Sequence, residues 1–116
     1  MRSVKRYCAR RGTAALAVLA TLCVACAAPQ QLVAITRSHP GASYEAETDG
    51  CGRRVPVARR FGGDLRAAVL WGRTVTDSAR AVPCEIVIDA VQADSREPVY
   101  RIVRSTSYRE ERVLKP

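Results

Sequence analysis

The sequence predicts a mainly β fold, a small antiparallel sandwich or open barrel that follows an N-terminal signal helix. Several segments after residue 31 alternate apolar and polar side chains with the two-residue period of a half-buried strand. Turn residues such as Asp49 and Gly50 separate these segments. We expect roughly five to seven strands in a single domain over residues 32–116, because a chain of this length buries one small core and not two.

The first 28 residues follow the order of a secretory signal peptide, which is a basic segment, an apolar run and then small residues. No acidic residue precedes residue 13, and 13–28 carries no charge. As a helix, that run would reach roughly 24 Å, less than the roughly 30 Å hydrocarbon core of a bilayer. The pattern therefore favours a cleaved signal over a membrane-spanning anchor. The basic residues of the leader are Arg2, Lys5, Arg6, Arg10 and Arg11.

Residues 22–26, Leu-Cys-Val-Ala-Cys, resemble the lipobox of the small lipoproteins of proteobacteria. In that family a dedicated signal peptidase cuts before a cysteine whose thiol has received a diacylglycerol. Cys26 stands at that position, while Cys23 stands where the family usually has leucine. The resemblance implies a signal peptide over 1–25, lipidation of Cys26 and a lipid-anchored tether over 26–31.

The resemblance also implies a membrane as partner. Ala27 follows the anchor cysteine, and a residue other than aspartate there is typical of lipoproteins sorted to the outer membrane and facing the periplasm. The chains of such an anchor, a diacylglycerol plus an N-acyl group, exceed the two hydrophobic signals that stable attachment needs. An ordinary signal peptidase also finds a small-x-small pattern in 25–27, and its cut after Ala27 would release a soluble periplasmic or secreted protein.

The strongly basic balance of the whole chain belongs mostly to the leader. The formal net charge is +8, from 19 basic and 11 acidic residues. Five of the basic residues precede residue 13, so the remaining 14 exceed the acidic residues by only three. An exported domain with so small an excess of positive charge gives no reason to expect nucleic acid as a partner, and we exclude that class.

Cysteine parity predicts one disulfide, between Cys51 and Cys84. Both residues remain after either cut, and such a pair is expected to be bonded in an oxidising compartment. In the chain-entropy model, closing this loop of about 34 residues stabilises the fold by about 3.8 kcal/mol. We predict no metal site and no cofactor, because Cys51 and Cys84 do not stand in a CxxC spacing and the single histidine of the chain is His39.

The segments before residue 61 predict three strands. The apolar run 32–36 forms the first, and the turn residues after it place His39 in a solvated turn. Residues 42–48 alternate, and the Asp-Gly pair that follows indicates a hairpin to a returning strand over 53–60. Pro56 lacks a backbone donor and therefore places this returning strand at a sheet edge.

Two arginine pairs flank the predicted edge strand. Charged side chains on an edge strand commonly prevent it from pairing with another sheet, and this is the simpler explanation. A functional alternative is an anion-binding site, since the guanidinium fork fits the phosphates of lipopolysaccharide and the carboxylates of peptidoglycan. The four residues of this candidate site are Arg53, Arg54, Arg59 and Arg60.

The segment 65–75 fits two patterns. Asp64 is a suitable N-cap for a short helix, yet alternate residues from Leu65 to Trp71 are also apolar. Gly72 and the β-branched residues after it favour a strand, with one turn of helix before it.

Two later segments show the clearest strand patterns. Residues 84–93 and 99–104 predict strands joined by a turn at 94–98, and 107–114 is expected to pair back through a solvated, self-neutralising stretch at 109–112. The predicted core consists of large side chains on the inward faces. They are Tyr44, Trp71, Ile86, Ile88 and Ile102.

These observations favour a non-enzymatic protein that binds or supports an envelope component, whether lipopolysaccharide, peptidoglycan or another protein. We assign no residue a catalytic role. A small periplasmic hydrolase is the alternative from another class, and it would have to be built around His39 or the adjacent Glu110 and Glu111. A secreted inhibitor is a third hypothesis, with the loop 61–64 as its contact segment.

Overall fold

The computed structural model describes residues 29–115, and in this part of the chain two helices accompany one five-stranded sheet. The elements are α1 Pro29–Ser38, β1 Ser43–Asp49, β2 Ala58–Arg60, α2 Leu65–Ser78, β3 Cys84–Gln92, β4 Ser95–Arg104 and β5 Arg109–Val113. The strands lie in the order β2-β1-β3-β4-β5, and every neighbouring pair is antiparallel. The predicted mainly β, antiparallel class is confirmed. The predicted signal peptide 1–25 and Cys26 lie outside the described residues.

The core lies between the sheet and the helices. The register places Ile86 opposite Ile102 and Ile88 opposite Tyr100, so that their side chains form one continuous apolar face. Of the predicted core residues, the four on strands are at most 1% exposed. Trp71 is only partly buried, because it lies at the margin of the core, with its ring centroid 5.7 Å from that of Phe61.

The predicted strand within 65–75 is wrong, because this segment belongs to helix α2. Asp64 caps the helix, and its carboxylate accepts a hydrogen bond from Ala67 N at 3.0 Å. The buried positions 65, 68, 69, 72 and 76 recur every three or four residues, which is the spacing of one helix face. Gly72 lets the helix approach the sheet closely, since a Cβ there would lie 2.7 Å from Ile102 Cδ1.

The predicted first strand over 32–36 is also wrong, because this run belongs to helix α1. Pro29 stands at its first position, where the missing amide hydrogen costs nothing. Ile35 is fully buried and anchors the helix in the core, while Leu32 packs partly against the same cluster. Four apolar residues in a row satisfy a strand pattern as well as a helix pattern, and here packing beside α2 decides the outcome.

The predicted returning strand 53–60 is present only as the short strand β2, which lies at a sheet edge as Pro56 indicated. It pairs with β1 through Glu45 and Arg60, Ala46 and Arg59, and Glu47 and Ala58. The preceding residues form turns, and the Thr48 hydroxyl donates to Pro56 O at 2.8 Å.

The second face of the sheet has no described element packed on it and carries ion pairs instead. Arg96 pairs with Glu45 and, at 2.8 Å, with Asp89, and Arg101 lies 2.5 Å from Glu85. The register places these side chains on the side opposite the core. The Arg96 guanidinium also holds the pKa of Glu45 below its ordinary value.

Candidate anion-binding site

The predicted disulfide between Cys51 and Cys84 is confirmed, with the two sulfur atoms bonded at 2.05 Å. Cys84 is the first residue of β3 and is fully buried, while Cys51 lies in the turn that follows β1 and is 5% exposed. Gly50 occupies this turn with a φ of +75°, a left-handed conformation that glycine adopts without strain. The bond therefore holds the turn against the start of β3.

A cavity of about 450 Å³ opens beside the disulfide. Cys51 forms part of its wall, and the segment that follows α2 forms another part. Three arginines, Arg53, Arg54 and Arg80, line it, and no described aspartate or glutamate does. A concave site with three guanidinium groups and no carboxylate is suited to an anion.

The three arginines of this cavity are free of carboxylate partners within the described part of the chain. None of them lies within 4.0 Å of a described carboxylate, whereas Arg60, for example, forms such a pair. All three side chains are exposed. Their hydrogen-bond donors are therefore available to a ligand, and binding one would not require an existing ion pair to break.

The carboxyl end of α2 reaches the same cavity, where its residues Val75 and Ser78 form part of the lining. The last carbonyl groups of a helix carry partial negative charge, which opposes the binding of an anion. Arg104 offsets this charge, because one of its nitrogens lies 2.7 Å from Thr76 O and 3.0 Å from Asp77 O. The helix end thus has its own cation, and the cavity arginines are not needed to cap it.

The predicted set of four arginines is divided between separate places. Arg53 and Arg54 line the cavity beside the disulfide, but Arg60 lies on the second face of the sheet, 3.3 Å from Glu45. The Arg59 guanidinium lies over aromatic rings, 5.2 Å from the centroid of Phe61 and 5.7 Å from that of Trp71. Residues 59 and 60 diverge because successive side chains of a strand point to opposite faces.

Arg80 belongs to the cavity and was absent from the predicted set. It stands in the connection between α2 and β3, four residues before Cys84, whereas Arg53 stands two residues after Cys51. The predicted disulfide could have indicated Arg80, because a bond between the two cysteines brings the segments that flank them close together. Cationic residues close to either cysteine were therefore the natural candidates.

The prediction that His39 lies solvated in a turn is wrong, since the residue is only 7% exposed. Its Nε2 lies 2.7 Å from a Glu97 oxygen and its Nδ1 lies 2.8 Å from Ile35 O. Both neighbours are acceptors, so both ring nitrogens donate only when the imidazole is protonated. The Glu97 carboxylate, followed by the Ile35 carbonyl, raises the pKa of His39, although burial opposes this.

The predicted solvated stretch 109–112 is wrong for Glu111. The stretch belongs to β5, so successive side chains point to opposite faces, and Glu111 is buried against α2. Glu110 and Arg112 do lie on the second face, 3.8 Å apart. Sequence alone showed a balanced run of charges and gave no sign of which one the helix would cover.

The loop 61–64, predicted as a contact segment for an inhibitor, is tied to the domain on both sides. Tyr44 N donates to Gly62 O at 2.7 Å, and Phe61 N donates to Tyr44 O at 2.9 Å. Asp64 is committed to capping α2. The loop is therefore anchored through its own backbone and leaves few groups to offer a partner.

Comparison of the chain with protein-family models, with curated proteins and with solved structures finds no match. Within residues 29–115, no group of three or more histidine, cysteine, aspartate or glutamate side chains is arranged to hold a metal ion. The helices of this same region are too short and too polar to cross a membrane.

Proposed function

We propose that this chain is an exported lipoprotein with a non-enzymatic binding role at the cell envelope. Its signal peptide, 1–25, would be removed before Cys26, and acyl chains on Cys26 would hold the domain 32–116 at the outer membrane, facing the periplasm. The disulfide between Cys51 and Cys84 is the observation that carries this proposal, because structural disulfides persist in oxidising compartments. The lipobox-like segment supplies the anchor.

The binding role rests on the cavity beside the disulfide. Arg53, Arg54 and Arg80 offer planar, permanently charged donors that match phosphate and carboxylate groups. Within the envelope, lipopolysaccharide carries phosphates and peptidoglycan carries carboxylates, so the shared chemistry is an oxyanion. The ligand is thus proposed to be an anionic group of one of these two components.

Binding is favoured over hydrolysis by the environment of His39. A general base needs a free ring nitrogen within reach of a substrate proton, and both nitrogens of His39 already contact acceptors of the protein. The residue also does not line the cavity beside the disulfide. The buried Glu111 is likewise engaged, by Arg73 and Tyr100.

The intact mass of the protein recovered from native membranes tests the processing. We expect a chain that begins at Cys26, carries acyl chains and gains two hydrogens on reduction. A soluble chain beginning at Ala28 would contradict lipidation and favour the alternative of a secreted, unlipidated protein. A mass that does not change on reduction would remove the disulfide and with it the argument for the oxidising compartment.

Binding of purified lipopolysaccharide, before and after removal of its phosphates, and of muropeptides tests the cavity. We expect Arg53→Gln, Arg54→Gln and Arg80→Gln each to weaken binding of the true ligand roughly tenfold, since a charged hydrogen bond is lost. The matched control is Arg112→Gln on the second face of the sheet, which should bind normally. Equal losses in all four variants would indicate unspecific attraction to the domain and would contradict a site.

A further inference from the structure

A second concave surface lies between the two helices, on the side of the domain away from the ion-paired sheet face. This groove encloses about 430 Å³, which is within the range of small-ligand sites. Leu32 and Val33 of α1 face Val69 and Leu70 of α2 across it. Val33 and Leu70 are each 47% exposed, although both are large and apolar.

Cationic side chains surround this apolar surface. Arg37 and Arg66 border the groove and have no carboxylate partner within 4.0 Å among the described residues. Arg73 also borders it but is held by Glu111. The single carboxylate of the lining is that of Asp64, which is occupied in capping α2. The groove therefore combines an apolar floor with a net positive border, the pattern that suits an anionic amphiphile.

The course of the chain places this groove close to the proposed anchor. Pro29, the first residue of α1, is part of the groove lining. Three peptide links join it to Cys26, and a fully extended chain of that length spans at most about 11 Å. A lipid attached to Cys26 would thus hold the groove within the reach of a single lipid headgroup layer.

We propose that this groove binds an acyl chain of an anionic phospholipid in the membrane that holds Cys26, with the lipid phosphate contacting Arg37 and Arg66. The proposal rests on the proposed lipidation. It also implies an orientation of the domain, in which the side that carries the two helices faces the membrane. The ion-paired face of the sheet then faces away from the bilayer. Exposed apolar side chains that would otherwise contact water gain a lipid environment.

Photocrosslinking in intact cells tests the groove with the full chain. The photoreactive residue p-benzoylphenylalanine replaces Val33 or Leu70, and Val57 serves as the matched control because it is 76% exposed, apolar and outside the groove. After irradiation, we expect phospholipid adducts at positions 33 and 70 in several-fold excess over position 57. The mass gained on reduction reports in each sample whether the disulfide has formed.

A second pair of variants tests the arginines. In a chain that carries the photoreactive residue at position 33, Arg37→Gln combined with Arg66→Gln should lower the share of anionic phospholipid among the adducts several-fold. Arg112→Gln, on the opposite face of the sheet, should leave that share unchanged. An unchanged share in the double variant would overturn the assigned role of the two arginines.

The same spectra separate this inference from the proposed function. The mass of the N-terminal peptide reports whether Cys26 is acylated, whatever happens at the groove. Protein adducts at positions 33 and 70, absent lipid adducts, or equal lipid adducts at position 57 would each overturn the groove proposal even when Cys26 is acylated. An unacylated Cys26 would instead overturn the anchor, and phospholipid adducts in that sample would show the groove to bind lipid without it.

Discussion

Arg73 reaches from the middle of α2 to the carboxylate of Glu111 on β5 and donates to it from Nε and one terminal nitrogen of its guanidinium group. Nε lies 2.9 and 3.0 Å from the two oxygens, and a terminal nitrogen lies 2.9 Å from one of them. The Tyr100 hydroxyl donates to the same carboxylate, and only 2% of the Glu111 side chain is exposed. This buried contact fastens the last strand to the helix.

Replacing Glu111 by alanine should therefore destabilise the domain more than most surface changes. The variant leaves Arg73 and the Tyr100 hydroxyl without their partner, and breaking a buried pair in this way costs about 3 kcal/mol. Chemical denaturation would measure this as a fall in the free energy of unfolding. Glu110→Ala is the control one residue away, on the exposed side of β5, and should cost at most about 0.5 kcal/mol. Equal losses in the two variants would contradict the role given to the buried carboxylate.

Gly72→Ala tests the close approach of α2 to the sheet. Alanine would gain about 1 kcal/mol of helix propensity, but its Cβ would lie 2.7 Å from Ile102 Cδ1, and overpacking of a core costs about 1 to 3 kcal/mol. We expect a net loss of about 1 kcal/mol in the free energy of unfolding.

A double-mutant cycle identifies the atom responsible for this loss. Ile102→Val removes Cδ1, so the chain with both changes should be about 1 kcal/mol more stable than the two separate losses predict. Ile86→Val is the matched control, because the nearest Ile86 atoms lie 3.6 Å from the position that an alanine Cβ would take, which is an ordinary contact. Coupling of equal size at both isoleucines would argue against a specific clash with Ile102.

The features that the sequence predicted correctly depend on local residue patterns or on the number of cysteines. The predicted strands at 84–93 and 99–104 are present, because the two-residue period of a strand can be recognised within the segment itself. The pairing of Cys51 with Cys84 followed from parity and compartment, without any geometry. Neither inference required knowledge of what packs against the segment.

The features that were missed depend on tertiary neighbours. In 65–75 the sequence supports both periods, and burial against the sheet selects the helix although β-branched residues disfavour it. His39 was assigned to solvent because its partner, Glu97, is 58 positions away along the chain. The grouping of the arginines was missed for the same reason, since only the folded chain shows that Arg53 and Arg54 share a cavity with Arg80.

The disulfide should supply a large share of the stability of so small a domain. Replacing both cysteines, as in Cys51→Ser with Cys84→Ser, removes the constraint on the unfolded chain and should lower the free energy of unfolding by about 3.8 kcal/mol. Denaturation with and without a reducing agent provides the control, because the reductant should destabilise the unaltered chain and leave the double variant unchanged. A reductant effect of the same size in both chains would point to another cause.

The contact between His39 and Glu97 predicts a stability that depends on pH. The pKa of His39 is raised from its ordinary value of 6.5, so the stabilisation from its protonated form is complete below that value and is lost as pH rises through the raised pKa. The His39 imidazolium lowers the pKa of Glu97 from 4.5, so the carboxylate's share is complete above 4.5 and is lost as pH falls through the lowered pKa. Lys115 lies 3.4 Å from Glu97 and also lowers the pKa of that carboxyl. Its positive charge opposes, as the smallest of the effects, the rise in the pKa of His39. The contact is thus strongest between pH 4.5 and 6.5.

Denaturation of the unaltered chain and of His39→Gln across this range would measure the effect. The difference in the free energy of unfolding should be largest between pH 4.5 and 6.5 and should shrink as the solution becomes alkaline, because glutamine does not titrate. Glu97→Gln provides the partner control, since it should remove most of the same pH dependence while leaving His39 in place. The contact fastens the end of α1 to β4, so α1 should also lose protection from hydrogen exchange at alkaline pH before the sheet does. A pH-independent difference between the two chains would contradict a protonated His39, and the histidine would then act through its packing alone.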